Sequence, residues 1–505
     1  MTTSPPATGQ VALGTTLSAL TERVREILLS HEGQDAPGFQ RSLATLLFEE
    51  IHRSRALSLV IPREYGGVGA SPLELLSLLE AVSYESLPLG LVFGINIALF
   101  LQPLAKFGAE AIKRSVFSRF TDQGALGGLM LTEPGFGTDL LSMRTSWRRR
   151  GEEYEIKGEK HWAGLSGMAD FWLMSARESR EKGGLKRDID FFVCDSRESG
   201  QEVMLEESFP SLGLLMIPYG RNRVDLSIPL GQRLVAPGSG VRLLLDLLHR
   251  SRMSFGGMAA GFLRRVLDDA LARCRGRSVG GRSLRSYDQV ERRLAEIQAA
   301  HTVASALCAD ASGRIGLERD LSGEGLRANI HKALLTDLMQ QSAQSFLQLS
   351  GGDGYRLDRR AGQAVVDSRP FQIFEGSNDV LYDQVASSFL APMKAGKESS
   401  LARFLSMHEL TRRAAGRFAR LLDFSPGDEP SQRRRVDLGR ILARVAAADL
   451  LEALGAAGYA AALVSNAIEF LRSEVAGLAA LVPGAGPIRV VEDLPGPASW
   501  QDCAT

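Results

Sequence analysis

Apolar residues recur at helical spacing through the first quarter of the chain. The pattern covers Leu17–Leu29 and Phe39–His52, and Ser71-Pro72 opens a further helix that extends through Val82. A long apolar helical stretch follows over Leu87–Phe107, and another helix covers Ala109–Arg119. We therefore predict a helical domain over residues 15–123. The polar, Pro- and Thr-rich residues 1–14 before it are expected to be disordered.

The pattern changes over residues 124–239 to short β-rich runs separated by glycines and charged turns. Examples are Tyr154–Lys157, Phe171–Met174 and Ile189–Cys194. Helical periods return over residues 240–393, in the segments Val241–His249, Phe255–Arg273, Gln289–Ile315 and Leu326–Leu349. Their lengths predict a bundle of antiparallel helices that follows a compact β-domain.

Helical patterns continue past the bundle over Leu401–Leu422 and Val436–Val475, with a Pro-, Gly- and acid-rich break at Ser425–Pro430. The predicted fold class is therefore α+β. It comprises an N-terminal helical domain, a central β-domain, a C-terminal helical bundle and a helical extension over residues 394–505. The extension's moderate amphipathicity allows three roles: covering the bundle, building another interface or touching a membrane.

Composition excludes several classes of function. Lys plus Arg and Asp plus Glu number 59 each, so the formal net charge is zero and no overall field favours nucleic acid or an anionic membrane. The start of the chain lacks a secretory pattern and no apolar run is judged long enough to span a bilayer, so we predict a cytoplasmic protein. Cys194, Cys274, Cys308 and Cys503 lack C-x-x-C spacing, and no metal site is predicted.

The stretch Arg369–Val380 holds the residue best suited to act as a base. Ile373 and Phe374 precede Glu375, so its carboxylate is expected to enter an apolar pocket, where desolvation raises its pKa toward the working pH. Gly376 allows a substrate to approach the backbone closely. Ser377, Asn378 and Asp379 resemble the N-cap of a helix that begins near Val380. Taken alone, the segment is better explained as ordinary turn chemistry.

Three other segments combine a functional interpretation with a simpler structural one. Leu131–Asp139 places glycines and hydroxyls in a loop suited to cradle a phosphate or a heterocycle edge, although a tight turn explains it more simply. Lys160–Gly167 sets Trp162 among small residues that would let a planar ring lie against the indole, although a core Trp is more common. Gln348–Tyr355 closes a long helix with glycines, which a glycine C-cap explains without a ligand.

The order and spacing of these segments together resemble the flavin-dependent acyl-CoA dehydrogenase family over roughly residues 15–392. Ile61–Gly67 resembles its Pro-x-x-Tyr-Gly-Gly turn, Leu131–Asp139 its Thr-Glu-Pro-Gly-x-Gly-Ser/Thr-Asp loop, and Lys160–Trp162 its Lys-x-Trp strand. Gln348–Gly354 resembles its Gln-x-x-Gly-Gly-x-Gly turn, and Gln372–Ser377 its Gln-Ile-Tyr-Glu-Gly-Thr catalytic segment. The resemblance implies that family's fold, FAD as cofactor, and a homodimer or homotetramer.

The resemblance also implies roles for individual residues. Glu375 would take the α-proton of an acyl thioester while its backbone N–H polarises the carbonyl and a hydride leaves the β-carbon for the flavin. Arg252 and Gly376 would contact the substrate. The implied FAD-binding residues are Leu131, Thr132, Thr138, Trp162, Gly164 and Ser377, with Arg277, Gln348, Gly351 and Gly352 reaching the cofactor of a neighbouring subunit.

Three positions depart from the family pattern. Gly164 replaces the usual Thr beside flavin N5, His249 stands where an acidic residue is common, and Tyr382-Asp383 replaces a basic residue often found after the catalytic segment. These departures leave the acyl carrier and the electron acceptor open.

The predicted function is FAD-dependent α,β-dehydrogenation of an acyl thioester, with acyl-CoA as the expected substrate. The first alternative is a thioester bound to an acyl carrier protein in a biosynthetic pathway. A flavin oxidase or monooxygenase on the same fold is the second, and a non-enzymatic binding protein is the third.

Overall fold

The computed structural model describes residues 8–30, 36–427 and 429–482, together with 490, 492 and 501. The first quarter is helical: α1 (Thr8–Ser30), α2 (Ala36–Ser54), α3 (Pro72–Glu85), α4 (Leu87–Gly94), α5 (Gln102–Phe107) and α6 (Glu110–Gln123). Ser71 and Glu74 form a capping box at the start of α3, because each side chain accepts the other's backbone N–H. Helix α1 begins inside the segment predicted to be disordered. That segment contains no proline after Pro6, so its covalent structure permits a helix.

The apolar stretch over Leu87–Phe107 is interrupted by a π-helical segment, Ile95–Leu101, between α4 and α5. Short π segments are rare and often occur at functional sites. The buried Asn96 amide donates to the carbonyl of Val92 (2.8 Å) and accepts the N–H of Gly127 (2.7 Å), which ties this segment to the start of the sheet.

The same stretch corrects one expectation from the sequence. By length and composition Leu87–Phe107 could cross a membrane, with a mean hydropathy of 1.8. In the structure, 89% of its apolar window is buried within the protein, so it serves as part of the core.

The strands of the central region form one sheet: β1 (Gly127–Met130), β2 (Ser146–Arg150), β3 (Glu153–His161), β4 (Phe171–Glu178), β5 (Asp190–Asp195), β6 (Met204–Ser208) and β7 (Gly220–Pro229). Their order is β1-β4-β2-β3-β7-β6, with β5 also paired to β4. The N–H of His161 at the end of β3 donates to the carbonyl of Thr132 (2.8 Å) after β1. The two predicted binding loops therefore leave the sheet side by side.

The helical bundle consists of α7 (Gly240–Gly276), α8 (Asp288–Ser312), α9 (Gly325–Ser350), α10 (Arg360–Ser368) and α11 (Asn378–Ala395), with a small hairpin of β8 (Ser278–Val279) and β9 (Arg282–Ser283) after α7. Helix α7 is continuous where the sequence predicted two helices. The polar residues at the centre of α7 interrupt the apolar periodicity of the sequence. In the structure these residues are buried and form hydrogen bonds or ion pairs. Arg250, for example, donates to the carbonyl of Ile315 (2.7 Å) and pairs with Asp246.

The extension contains α12 (Leu401–Met407), α13 (Ala415–Phe418), α14 (Gln432–Ala456) and α15 (Ala461–Leu481). One helix was predicted over Leu401–Leu422, but α12 ends before His408, whose ring accepts the N–H of Leu410 (3.2 Å) in place of a helical bond. Helix α14 packs on α11 and α8, and α15 packs on α8 and α14. The extension therefore covers one face of the bundle, and the predicted α+β fold class is confirmed.

Candidate active site

A cavity of about 240 Å³ lies where the first helical region, the sheet and the bundle meet. Its walls come from α4 and the π-helical segment, the loops after β1 and β3, the middle of α7, and the segment that leads into α11. The predicted site residues that line it are Leu131, Thr132, Thr138, Trp162, Gly164, Arg252, Glu375 and Gly376. Eight positions spread over 246 residues of sequence, from 131 to 376, thus meet in one cavity.

Glu375 is held in an unusual conformation at the floor of this cavity. Its φ of 54° lies in the left-handed region, which costs free energy for a residue with a Cβ and occurs often at functional sites. The hydroxyl of Ser251 donates to Oε1 (2.7 Å), whereas Oε2 is buried and has no hydrogen-bond partner among the described residues. One carboxylate oxygen is therefore oriented, and the other is free to accept a proton.

Burial raises the pKa of Glu375 above its ordinary value. The hydrogen bond from Ser251 and the charges of Arg252 and Lys332 oppose that shift, because each favours the carboxylate form. The net result is a carboxylate whose pKa is above its ordinary value, which suits it to accept a proton.

Two buried cations hold the backbone around Glu375. Arg252 donates from Nε (3.1 Å) and Nη2 (2.7 Å) to the carbonyl of Glu375, and from Nη1 to Asn329 Oδ1 (2.7 Å). Lys332 donates to the carbonyl of Gly376 (2.7 Å) and to Asn378 Oδ1 (2.9 Å). Burial lowers the pKa of Lys332 to about 7. These contacts hold the backbone carbonyls on either side of the Glu375–Gly376 step in place.

The loop after β1 is anchored by a buried ion pair. Lys160, fully buried on β3, donates to Glu133 Oε1 (2.8 Å) and to the hydroxyl of Ser175 (3.0 Å). The Glu133 carboxylate also accepts the N–H groups of Arg144 (2.5 Å) and Thr145 (3.0 Å). Glu133 and Lys160 are thus structural, and neither lines the cavity, whose loop side is formed by residues that include Thr132, Gly137 and Thr138.

Trp162 offers the cavity a planar surface. It is 56% exposed, has a φ of 57°, and packs against Phe209 with ring centroids 4.7 Å apart. The indole is exposed in the cavity wall, and the neighbouring loop has open space at Gly137 where a side chain would stand. This arrangement fits a flat ring system with a polar edge. The residues present therefore fit FAD.

Gly164 is explained by its neighbour. A Cβ at this position would lie 2.8 Å from Cδ1 of Ile95 in the π-helical segment, so Ile95 occupies the space that a larger residue would need.

The remaining predicted cofactor residues do not line the cavity described above. Arg277, Gly351 and Gly352 lie together at the ends of α7 and α9, where a Cβ on Gly351 would stand 3.0 Å from Arg277 Nη1. Gln348 lines a separate groove between α8, α9 and α15. Ser377 precedes α11, which begins two residues earlier than predicted, and its side chain makes no capping hydrogen bond. The role of each predicted residue stays a prediction.

Sequence reasoning missed Ser251 and Lys332. Ser251 lies 124 residues before Glu375, inside a polar interruption of α7, and no local pattern marks it. Lys332 precedes the Gln348 motif in the same helix, and no local pattern marks it.

Three family models match most of the chain. They are described as the N-terminal domain (residues 17–123), the middle domain (residues 128–225) and the C-terminal domain (residues 238–390) of acyl-CoA dehydrogenase. Among curated relatives, an acyl-CoA dehydrogenase of Bacillus subtilis is 24% identical over 343 residues, which cover 66% of this chain and 86% of the relative.

Solved structures agree on the fold. An acyl-CoA dehydrogenase from Bacillus anthracis complexed with FAD aligns with a TM-score of 0.73 at 17% identity, over 93% of this chain and 89% of that chain. The prolyl acyl carrier protein oxidase AnaB aligns with a TM-score of 0.64 at 17% identity, over 74% of this chain and 98% of that chain.

Proposed function

The chain belongs to the acyl-CoA dehydrogenase family, and we propose that it uses Glu375 as the base in FAD-dependent α,β-dehydrogenation of an acyl thioester. FAD accepts the hydride in this chemistry when it is bound. The observation that carries the proposal is the buried Glu375 Oε2, which has no partner among the described residues and belongs to the wall that also contains Trp162 and the loop after β1.

The chain's own groups support removal of a carbon-bound proton. Ser251 orients the carboxylate through Oε1, so that the proton is taken at Oε2. Arg252 and Lys332 hold the backbone carbonyls of Glu375 and Gly376, which fixes the two peptide groups that follow the Glu375 N–H, the group proposed to polarise the thioester carbonyl. Leu91, Ile95 and Leu99 supply an apolar wall that limits water beside the base.

The flavin is proposed to lie on the sheet side of the cavity, held by Thr132, Thr138, Trp162 and the backbone of Leu131. The cluster of Arg277, Gly351 and Gly352, with Gln348 in the adjacent groove, is proposed to contact the FAD of a second subunit. That assignment supports a homodimer or homotetramer, and a cytoplasmic location is proposed with it.

The substrate is proposed to be an acyl-CoA thioester. A carrier-protein-bound thioester is the second candidate, because a protein with the same fold is described as a carrier protein oxidase.

An anaerobic titration of the FAD-loaded protein with acyl-CoA thioesters of different lengths tests the proposal. Bleaching of the oxidised flavin by one thioester class is expected. A protein that stays oxidised with every CoA thioester but bleaches with the carrier-bound thioester would select the second candidate, and a failure of both would reject dehydrogenation.

A further inference from the structure

A single carboxylate on α9 binds side chains from both ends of the base segment, residues 372–378. Asp337 Oδ1 accepts from Gln372 Nε2 (2.7 Å) and from Asn378 Nδ2 (2.6 Å). Gln372 lies three residues before Glu375, and Asn378 lies three residues after it. Glu375 is therefore placed between two side chains that bind the same oxygen atom.

The second oxygen of Asp337 is occupied by a tyrosine of α11. Tyr382 is fully buried, and its hydroxyl donates to Asp337 Oδ2 (2.8 Å). Burial raises the pKa of Tyr382 well above its ordinary value, so the hydroxyl stays protonated and remains a donor. Both oxygens of Asp337 thus have partners, which suits this carboxylate to hold neighbouring groups in place.

The extension holds Tyr382 from the other side. The guanidinium of Arg440 on α14 lies over the Tyr382 ring, 5.7 Å from its centroid, and pairs with Asp379 (3.0 Å). A Cβ on Gly439 would lie 2.0 Å from the carbonyl oxygen of Tyr382, so the two helices are in close contact here. The Tyr382 hydroxyl therefore reaches Asp337 from a firmly packed helix.

Asn378 connects Asp337 to the cation that holds the peptide after the base. Its Oδ1 accepts from Lys332 Nζ (2.9 Å), and Lys332 also donates to the carbonyl of Gly376 (2.7 Å). Asp337, Asn378 and Lys332 thus form one chain of contacts that ends at the Gly376 carbonyl.

The base segment needs this support because its backbone is strained. Glu375 (φ 54°) and Gly376 (φ 91°) both lie in the left-handed region. A residue with a Cβ keeps such a φ only where the surrounding contacts enforce it. Without a hold on either side, the segment would relax and Oε2 of Glu375 would leave its position.

We propose that Asp337 is a positioning residue for Glu375, which it serves by holding Gln372 and Asn378 on one oxygen at either side of the base. The inference rests on the proposed function, in which Glu375 takes the proton. Asp337 does not line the cavity, so its effect on Glu375 passes through the backbone of the base segment. A displacement of about 1 Å is enough to cost on the order of a hundredfold in rate.

Two substitutions at Asp337 separate hydrogen bonding from charge. Asp337→Ala removes the acceptors of all three hydrogen bonds. Asp337→Asn is nearly isosteric: its amide oxygen accepts from Gln372 and Asn378, and its amide nitrogen donates to the hydroxyl oxygen of Tyr382. It therefore keeps the geometry of the network while removing the negative charge.

Asp268 on α7 provides a matched control. It accepts from the hydroxyl of Tyr84 (3.0 Å) and so joins α7 to α3 by the same type of bond. Its other partner, Arg264, lies on its own helix, and none of these three residues belongs to the base segment or lines the cavity. Asp268→Ala thus removes a tyrosine–carboxylate bond between two helices without touching the base segment.

The test measures anaerobic flavin reduction in the full-length, FAD-loaded variants, at several concentrations of a thioester that reduces the unmodified protein. In Asp337→Ala the limiting rate should fall by about tenfold to a hundredfold. The thioester concentration at half-saturation should stay within about twofold, because ground-state binding is not affected. Hydrogen exchange of residues 369–382 should become faster in this variant. Asp337→Asn and Asp268→Ala should keep the limiting rate within about threefold of the unmodified value.

An unmodified limiting rate in Asp337→Ala would overturn the proposal. It would also be overturned if Asp337→Asn were as slow as Asp337→Ala, because the charge and not the hydrogen bonds would then act on the base. An equal slowing in Asp268→Ala would assign the effect to a general loss of stability and overturn it as well.

Two further outcomes are decided by other measurements. If Asp337→Ala does not fold, Gln372→Met decides, because Gln372 is half-buried and its replacement leaves the bonds from Asp337 to α11 in place. Slowed reduction then supports the proposal, and an unmodified rate overturns it. If no thioester reduces the unmodified protein, the proposed function fails instead. Exchange of residues 369–382 then decides the role of Asp337: faster exchange in Asp337→Ala but not in Asp268→Ala supports positioning, and equal exchange overturns it.

Discussion

Glu133 and Glu375 are two buried glutamates in two motif segments, and their surroundings differ in one decisive respect. The Glu133 carboxylate accepts from Lys160, Arg144 and Thr145, so both of its oxygens have partners. Glu375 accepts from Ser251 through one oxygen, and the other is unpartnered among the described residues. A structural carboxylate therefore differs from a candidate base in how many of its oxygens accept hydrogen bonds. Burial alone does not distinguish the two.

The two environments also shift the proton affinities in opposite directions. Burial acts to raise the pKa of Glu133, but Lys160 and the hydrogen-bond donors lower it below its ordinary value. Burial raises the pKa of Glu375 and its partners only partly oppose this. A carboxylate held permanently charged is suited to anchor a loop, and one with a raised pKa is suited to accept a proton.

Replacing the base should give the largest effect. Glu375→Gln keeps the shape of the side chain and the acceptor for Ser251, but its amide cannot take up a proton. Flavin reduction should fall by about a thousandfold, within the range usual for general-base catalysis. Stopped-flow reduction under anaerobic conditions measures it. FAD content and substrate binding should remain, and near-normal reduction would remove Glu375 as the base.

Removing the cation beside Glu133 should instead reduce stability. Lys160→Met leaves a buried carboxylate with only two backbone donors, at a cost of about 3 kcal/mol in the free energy of unfolding. Chemical denaturation measures the change. Lys157→Met is the matched control on the same strand, because its pair with Asp225 is exposed (3.2 Å) and should contribute less than about 1 kcal/mol. Equal losses in the two variants would contradict the structural role of the buried pair.

Tuning the base should have an intermediate effect. Ser251→Ala removes a hydrogen bond that favours the charged form of Glu375, so the pKa of Glu375 should rise further. Because the base must be deprotonated to act, the rate increases with pH through this pKa. The midpoint of that rise should move up by about one pH unit, with a roughly tenfold loss below it. An unshifted midpoint would show that the Ser251 hydroxyl does not stabilise the carboxylate.

Periodicity predicted most helices and the α+β class, since amphipathic helices and short alternating strands bury one face each. It failed at residues 250–254, where polar residues are buried and paired inside one continuous helix. Motif spacing proposed Glu375 as a base and Trp162 as a flavin contact, and both line the cavity, but Glu133 has the same residue type in an equally marked motif. Only three-dimensional contacts separate them, because Ser251, Lys160 and Lys332 come from distant parts of the chain.

The smallest effect is expected at Gly164, on the flavin side of the cavity. Gly164→Thr adds a hydroxyl, and one neutral hydrogen bond contributes about 1 kcal/mol, equal to about 20 mV for a two-electron couple. The flavin potential, measured by dye-coupled reduction, should change by about that amount, and the rate of reoxidation in air is a second readout. The added Cβ would meet Ile95 Cδ1 at 2.8 Å, so some stability should be lost as well. Ile95→Val removes that methyl and should restore stability in the double variant without reversing the change in potential.

Gly164→Val adds the same volume as Gly164→Thr without the hydroxyl and should leave the potential nearly unchanged. If Gly164→Thr and Gly164→Val change the flavin potential equally, the effect of this position is steric. The chemistry would then depend on the side of the cavity that contains Glu375, whose unpartnered oxygen distinguishes it from Glu133.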